Sequence, residues 1–222
     1  MTPPLALDID GTLTTPEGGI DPRVFDVLPA WDAPVVVATG KAFPYPVALC
    51  HFVGIPETVI AENGGIVCVG DTVRFAGDRD RAERVVEAFE ARGGDLGWDG
   101  ADLANRWRET ELVARLTADE RLLRDVAAEF EMEVVDTGYA YHIKTPGVEK
   151  GDGLELAADE LGYSVEEFVA VGDSENDASM FAVAGRSFAV ANADPVATAA
   201  ADTVLDEAYM DGTLAALEAV RD

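Results

Sequence analysis

The 222-residue sequence predicts an α/β protein, a largely parallel sheet flanked by helices, with a small α+β block inserted near its middle. Three observations carry that reading. Short apolar runs such as Leu5-Ala-Leu and Pro34-Val-Val-Val-Ala read as strands buried on both faces, as parallel strands are. They alternate with helix-like stretches at the spacing of βαβ units. From residue 77 to 145 this rhythm breaks into amphipathic helices and an antiparallel pair, and it then resumes. The expected division is a core of 1–76 and 146–222 with an insertion of 77–145, at the low end of domain size.

Each element has a local reason. Residues 5–9 form the first strand, ended by Asp10-Gly11. Asp21-Pro22 pairs an N-cap with proline at the first helical position, which predicts a helix running toward Pro29. Strand 34–38 follows, then a helix over 43–52 that begins among prolines and stops before Gly54. Residues 58–61 are a third strand, and Gly65-Ile-Val-Cys-Val opens a hairpin. Within the insertion the pattern predicts helix 78–92, an alternating strand within 110–116, helix 118–131, and strands 132–135 and 139–143 paired about Asp136-Thr-Gly. Past Pro146-Gly147 come helix 151–161, strand 168–171, helix 176–184, strand 187–190, helix 195–201, strand 203–205 and a last helix from Asp211.

Charge narrows the function. Forty-three acidic residues against sixteen basic ones give −27, and only Lys41, Lys144 and Lys150 among the cations are lysines. Such a field repels phosphate backbones and anionic headgroups, so neither nucleic acid nor a membrane surface is an expected partner. The balance lies far outside the roughly 2–8 charges usual for a small domain and fits a high-salt interior, where screening acts over about 3 Å. Cys50 and Cys68 sit in apolar runs without metal-ligand spacing, so buried free thiols are expected and zinc is not. The start, Met1-Thr-Pro-Pro, lacks the pattern of a signal peptide, and the expected location is the cytoplasm.

Chemistry concentrates at strand ends. Asp8 and Asp10 flank the carboxyl end of the first strand, where open parallel sheets bind ligands. Two adjacent anions repel unless a cation lies between them, and an all-oxygen set favours Mg²⁺. On this fragment alone, an Asp-Gly turn with two solvated acids explains it as well. Gly172-Asp173-Ser-Glu-Asn-Asp177 follows another apolar strand, with Asp173 projecting into the same crevice and Asp177 one helical turn on. Favourable first-turn acids account for Glu175 and Asp177, but not for the strand–Gly–Asp arrangement. Thr39-Gly40 offers a hydroxyl and backbone N–H groups to a phosphate, although an ordinary turn would look the same. Lys150-Gly151 puts a cation where a helix dipole disfavours one, which suggests a task for a compact point charge.

In this order, Asp8-Ile-Asp10-Gly-Thr12, Thr39-Gly40, Lys150-Gly151 and Gly172-Asp173-x-x-Asn176-Asp177 resemble the four motifs of the haloacid dehalogenase superfamily. The likeness is to the phosphatase branch with an α+β cap between the second and third motifs; length and cap size resemble its archaeal phosphoglycolate phosphatases. Glu62-Asn63-Gly64-Gly65 also resembles a segment common in that branch, whereas Lys41 stands where arginine is frequent. The resemblance implies a Rossmann-like core and an aspartyl-phosphate mechanism, with Asp8 as nucleophile and Asp10 as general acid and then base. It further implies Mg²⁺ held by Asp8, the Asp10 carbonyl, Asp173 and Asp177, with Thr39, Gly40 and Lys150 on the phosphoryl group.

A small phosphorylated metabolite is then the partner, 2-phosphoglycolate first and a sugar phosphate second. A phospho-accepting receiver module also clusters Asp, Thr and Lys, but needs neither the insertion nor the second Asp of Asp-x-Asp. A silent binding protein on the same fold is the third reading. Specificity is expected in the insertion, with Gly97-Trp-Asp-Gly, Asn105-Arg-Trp-Arg and Tyr139-Ala-Tyr-His142 as candidate segments, each of which also reads as plain packing.

Overall fold

The computed structural model describes residues 2–221. Its main sheet has eight strands: β1 (Leu5–Asp8), β2 (Val35–Ala38), β3 (Thr58–Ala61), β4 (Ile66–Val69), β5 (Thr72–Phe75), β9 (Val169–Gly172), β10 (Arg186–Ala189) and β11 (Thr203–Val204). They lie in the order β11-β10-β9-β1-β2-β3-β4-β5, parallel from β11 to β3, with the β4–β5 hairpin antiparallel at one edge.

Period-two geometry explains why the central strands are apolar throughout. Leu5 and Leu7 face one layer, together with α1 (Val24–Val27), α2 (Pro44–Val53) and α8 (Tyr209–Ala219). Ala6, Val36 and Ile60 face the other, against α5 (Lys150–Leu161), α6 (Ala178–Val183) and α7 (Pro195–Ala200). Both faces are therefore covered, the usual state of a parallel sheet.

The chain between β5 and α5 builds a second, antiparallel sheet in the order β6-β8-β7 from β6 (Leu112–Arg115), β7 (Glu133–Asp136) and β8 (Ala140–Lys144). One face packs on α3 (Arg79–Ala91) and α4 (Glu120–Glu129) through Val85, Phe89, Leu123, Val126, Tyr141 and Ile143. These amphipathic helices start at Asp78 and Asp119, whose carboxylates accept N–H bonds from Arg81 and Leu122.

Three element expectations need correction. The helix after Pro22 is a single turn, Val24–Val27. The Asp21 carboxylate accepts from the Arg23 N–H and guanidinium instead of capping a long helix, and Pro29 has no N–H to extend the ladder. The stretch expected as helix 176–184 begins as a 3₁₀ turn, Glu175–Asp177, because Asp177 folds back onto the Asp173 and Ser174 N–H groups. The last helix starts at Tyr209, two residues before Asp211. Cys50 and Cys68 are buried free thiols, and burial pushes that of Cys50 up to about 12. No helix among the described residues is long and apolar enough to cross a membrane.

Candidate active site

Adjacent parallel strands bring three of the motifs together. β1 pairs with β9 on one side and β2 on the other, with Leu7 opposite Val171 and Asp8 opposite Ala38. Asp8, Thr39 and the Gly172–Asp173 turn consequently leave the sheet at neighbouring carboxyl ends. Gly11 makes the fit possible: its φ is +78°, and a Cβ there would lie 2.0 Å from Asp173 Oδ2. Asn192 donates to the Gly11 carbonyl at 3.0 Å and steadies the same turn.

Lys150 enters from the first residue of α5 and is fully buried. Its ammonium donates to Asp8 Oδ1 at 2.7 Å, Asp177 Oδ1 at 2.6 Å and Asn176 Oδ1 at 3.1 Å. Burial works against the charged lysine, but Asp177 and Asp8 outweigh it and raise its pKa above the ordinary value. Asp177 is firmly held, because its Oδ2 accepts from the N–H groups of Asp173 and Ser174 while its Oδ1 accepts from Lys150.

The acids are crowded. Burial raises the Asp8 pKa well above the usual range; Lys150 opposes this, and the charges of Asp177 and Asp173 add to it. Asp173 is pushed up to about 7 by burial and then by Asp177. Ligand atoms of Asp8, Asp173 and Asp177 all lie within 4.8 Å of one another, and buried Asp173 Oδ1 has no hydrogen-bond partner among the described residues. An orphaned carboxylate oxygen beside a second buried acid suits a hard divalent cation.

Asp10 and the second motif occupy the mouth. The Asp10 carboxylate is 55% exposed and lies 3.1 Å from Lys41 Nζ. Thr39 is buried, its hydroxyl accepting from the Lys41 N–H at 3.1 Å. The Gly40 carbonyl accepts from Arg108 of the insertion at 3.1 Å.

Above this floor lies a buried polar relay that the sequence reading did not assemble. Asn176 donates to Asn63 Oδ1 at 3.0 Å. Asn63 Nδ2 lies 3.1 Å from His142 Nδ1 and donates to Glu111 Oε2 at 3.3 Å. Glu111 is bonded to His142 at 2.8 Å and to Arg108. Beside it the buried Glu62 carboxylate accepts from the N–H groups of Glu109 and Thr110 and from the Thr110 hydroxyl. Glu62 and Asn63 both have positive φ, 51° and 55°, and at Gly64, with φ +97°, a Cβ would lie 2.0 Å from the Glu149 carbonyl. This strained corner seats the start of α5, and Glu62-Asn63-Gly64-Gly65 was its one sequence signal.

Of the segments expected to set specificity, Trp98 packs inside the insertion, its indole donating to the Val113 carbonyl at 2.7 Å. Trp107 is exposed beside Arg106. His142 and Arg108 belong to the relay.

Comparison with known proteins bears on the family and the fold. Residues 111–217 match the haloacid dehalogenase-like hydrolase family. A phosphoglycolate phosphatase of Halorubrum lacusprofundi is 63% identical over 223 residues, covering 100% of this chain and 98% of its own. The chain belongs to the haloacid dehalogenase-like hydrolases. A phosphoglycolate phosphatase of Natronomonas pharaonis is 54% identical to this hydrolase, covering 100% of it and 99% of its own length. A solved Thermoplasma acidophilum structure superposes with a TM-score of 0.83 at 25% identity, over 98% of the hydrolase and 99% of that chain. The hydrolase is thus a phosphoric monoester hydrolase with an α/β core and an inserted α+β cap.

Proposed function

We propose that this enzyme is a Mg²⁺-dependent 2-phosphoglycolate phosphatase of the cytoplasm, with 1–76 and 146–222 as catalytic core and 77–145 as cap. The substrate rests on the likeness to relatives named phosphoglycolate phosphatase, several of them covering the whole chain. The chemistry rests on one observation above all, buried Asp8 with one oxygen held at 2.7 Å by buried Lys150.

Lys150 fixes Asp8 Oδ1, so Asp8 Oδ2 is the oxygen left to attack phosphorus. The new bond joins Asp8 to phosphorus, the phosphorus–glycolate oxygen bond breaks, and Asp10 gives its proton to the departing oxygen. Asp10 then takes a proton from water, whose oxygen attacks phosphorus and releases phosphate and free Asp8. Its exposed position beside Lys41 gives Asp10 access to both the leaving group and solvent. Thr39 and the Gly40 segment hold phosphoryl oxygens as charge shifts onto them. Asp8, Asp173, Asp177 and the Asp10 carbonyl would hold Mg²⁺, Asp177 directly or through water, and the ion when bound supplies the positive charge that lets a crowded acidic site accept a dianion. Asp177 also holds Lys150 and the Asp173 turn.

A second reading, a sugar phosphatase, draws on size. The cavity that abuts the site at Lys150, Asn63 and Asn176 measures about 820 Å³, ample for a larger ester, although Asp8 itself is not part of its wall. A panel of phosphate monoesters at high salt with Mg²⁺ separates the two, with 2-phosphoglycolate expected to give the highest kcat/KM. Asp8→Asn should abolish both turnover and acid-stable phosphoryl labelling with the fold intact. Retained turnover would remove Asp8 from its role.

A further inference from the structure

Only three lysines occur in this chain, and two of them line one cavity. Lys41 meets Asp10, Lys150 meets Asp8, and Lys144, at the end of β8, lines the same cavity as Lys150. Side chains alternate along a strand, and in β8 Tyr141 and Ile143 point into the cap's own core. His142 and Lys144 therefore occupy the other face, turned toward the catalytic core, and the contact between His142 and Asn63 shows that this face lies over the site.

Lys144 is only 7% exposed. Among the described residues it has one ion-pair partner, Glu133 Oε1 at 3.1 Å on the neighbouring strand, and an ammonium has three hydrogens to donate. The cavity wall carries five carboxylate residues, Glu133 and Asp194 among them, against two cations. One of those cations, Lys150, is already spent on Asp8, Asp177 and Asn176. Of the two cations lining that cavity, Lys144 is therefore the one left to receive a second negative group on a substrate. An ester with a neutral tail needs no such partner.

We infer that Lys144 is the specificity-determining residue of the cap, pairing with the carboxylate of the substrate while the core holds its phosphoryl group. This deepens the reading of the enzyme as a phosphatase of a small phosphorylated acid and rests on it. Because Lys144 is itself buried, bulk salt weakens the pairing less than it would on the surface.

The test compares wild type, Lys144→Met and Lys144→Arg on 2-phosphoglycolate and on ethyl phosphate, at molar salt with Mg²⁺ and with melting temperatures recorded. Lys144→Met should lower kcat/KM for 2-phosphoglycolate about tenfold to a hundredfold, mainly through KM, and leave ethyl phosphate within about twofold. Lys144→Arg should recover part of the loss. Equal losses on both esters, or no loss on either, would overturn the assignment. So would a wild type that prefers ethyl phosphate to every phosphorylated acid tested, 3-phosphoglycerate included. If wild type ignores 2-phosphoglycolate yet cleaves 3-phosphoglycerate in a Lys144-dependent way, the inference stands and the proposed substrate falls.

Discussion

Lys150 is a buried cation touching three side-chain oxygens, so it serves stability and chemistry together. A methionine there fills similar space but leaves Asp8 and Asp177 facing each other unpaired. Lys150→Met should cost about 3–5 kcal/mol, the usual penalty for breaking a buried pair, and abolish turnover. Denaturation midpoints and steady-state assays in the same salt check both outcomes, and undiminished stability would show that the pair is not the keystone it looks. The motif spacing pointed to Lys150, Asp8 and Asp173, because each follows a strand or starts a helix in a recognisable order. It gave no hint that Lys150 would bridge two acids, since its Asp8 partner lies 142 residues away in the chain.

At the scale of elements, the cap sheet works through its two faces. The apolar face, with Leu112, Ala114, Val134, Tyr141 and Ile143, binds α3 and α4, while the opposite face brings His142 and Lys144 to the core. β6 was expected to alternate between buried and exposed residues, yet Leu112, Val113 and Ala114 are all buried, because both faces of this sheet are covered. Glu111 anchors the junction. Burial raises its pKa, but the charges of His142 and Arg108 outweigh that and hold it below the usual range. An acid held low in the folded state stabilises that state above its unfolded value, near 4.3, and the contribution disappears as pH falls through the folded value. Glu111→Gln should therefore cost about 3–5 kcal/mol at neutral pH, by stranding Arg108, and the gap from wild type should begin to narrow only as pH falls below about 4.3 toward the folded value. Guanidinium titrations at several pH values measure it; a gap independent of pH would exclude the ionised carboxylate as its cause.

Across the whole molecule, −27 charges on 222 residues make self-repulsion a dominant cost at low salt. Moderate ionic strength leaves these charges interacting over about 10 Å, whereas molar salt shortens the range to about 3 Å. Several ion pairs are exposed on both sides, such as Arg23–Asp211 and Arg92–Glu129, and such pairs offset little of the excess. The melting temperature should rise steadily from millimolar to molar KCl, by roughly 2–4 °C for each ~1 kcal/mol of repulsion relieved. A flat profile would remove the high-salt reading of the composition.

By itself the sequence determined the α/β class, the inserted cap and the motif residues, because burial on both strand faces, helix starts and strand-end acids are local patterns that survive without coordinates. It also drew attention to the scarcity of lysine. Only the tertiary structure decided what those residues touch: Lys150 between Asp8 and Asp177, Lys41 on Asp10, Asn63 between Asn176 and Glu111, and Lys144 facing the cavity. The reason is physical. A charged side chain takes its partners from segments that meet only after the sheet is ordered and the cap has folded over it, and no spacing along the chain encodes that meeting.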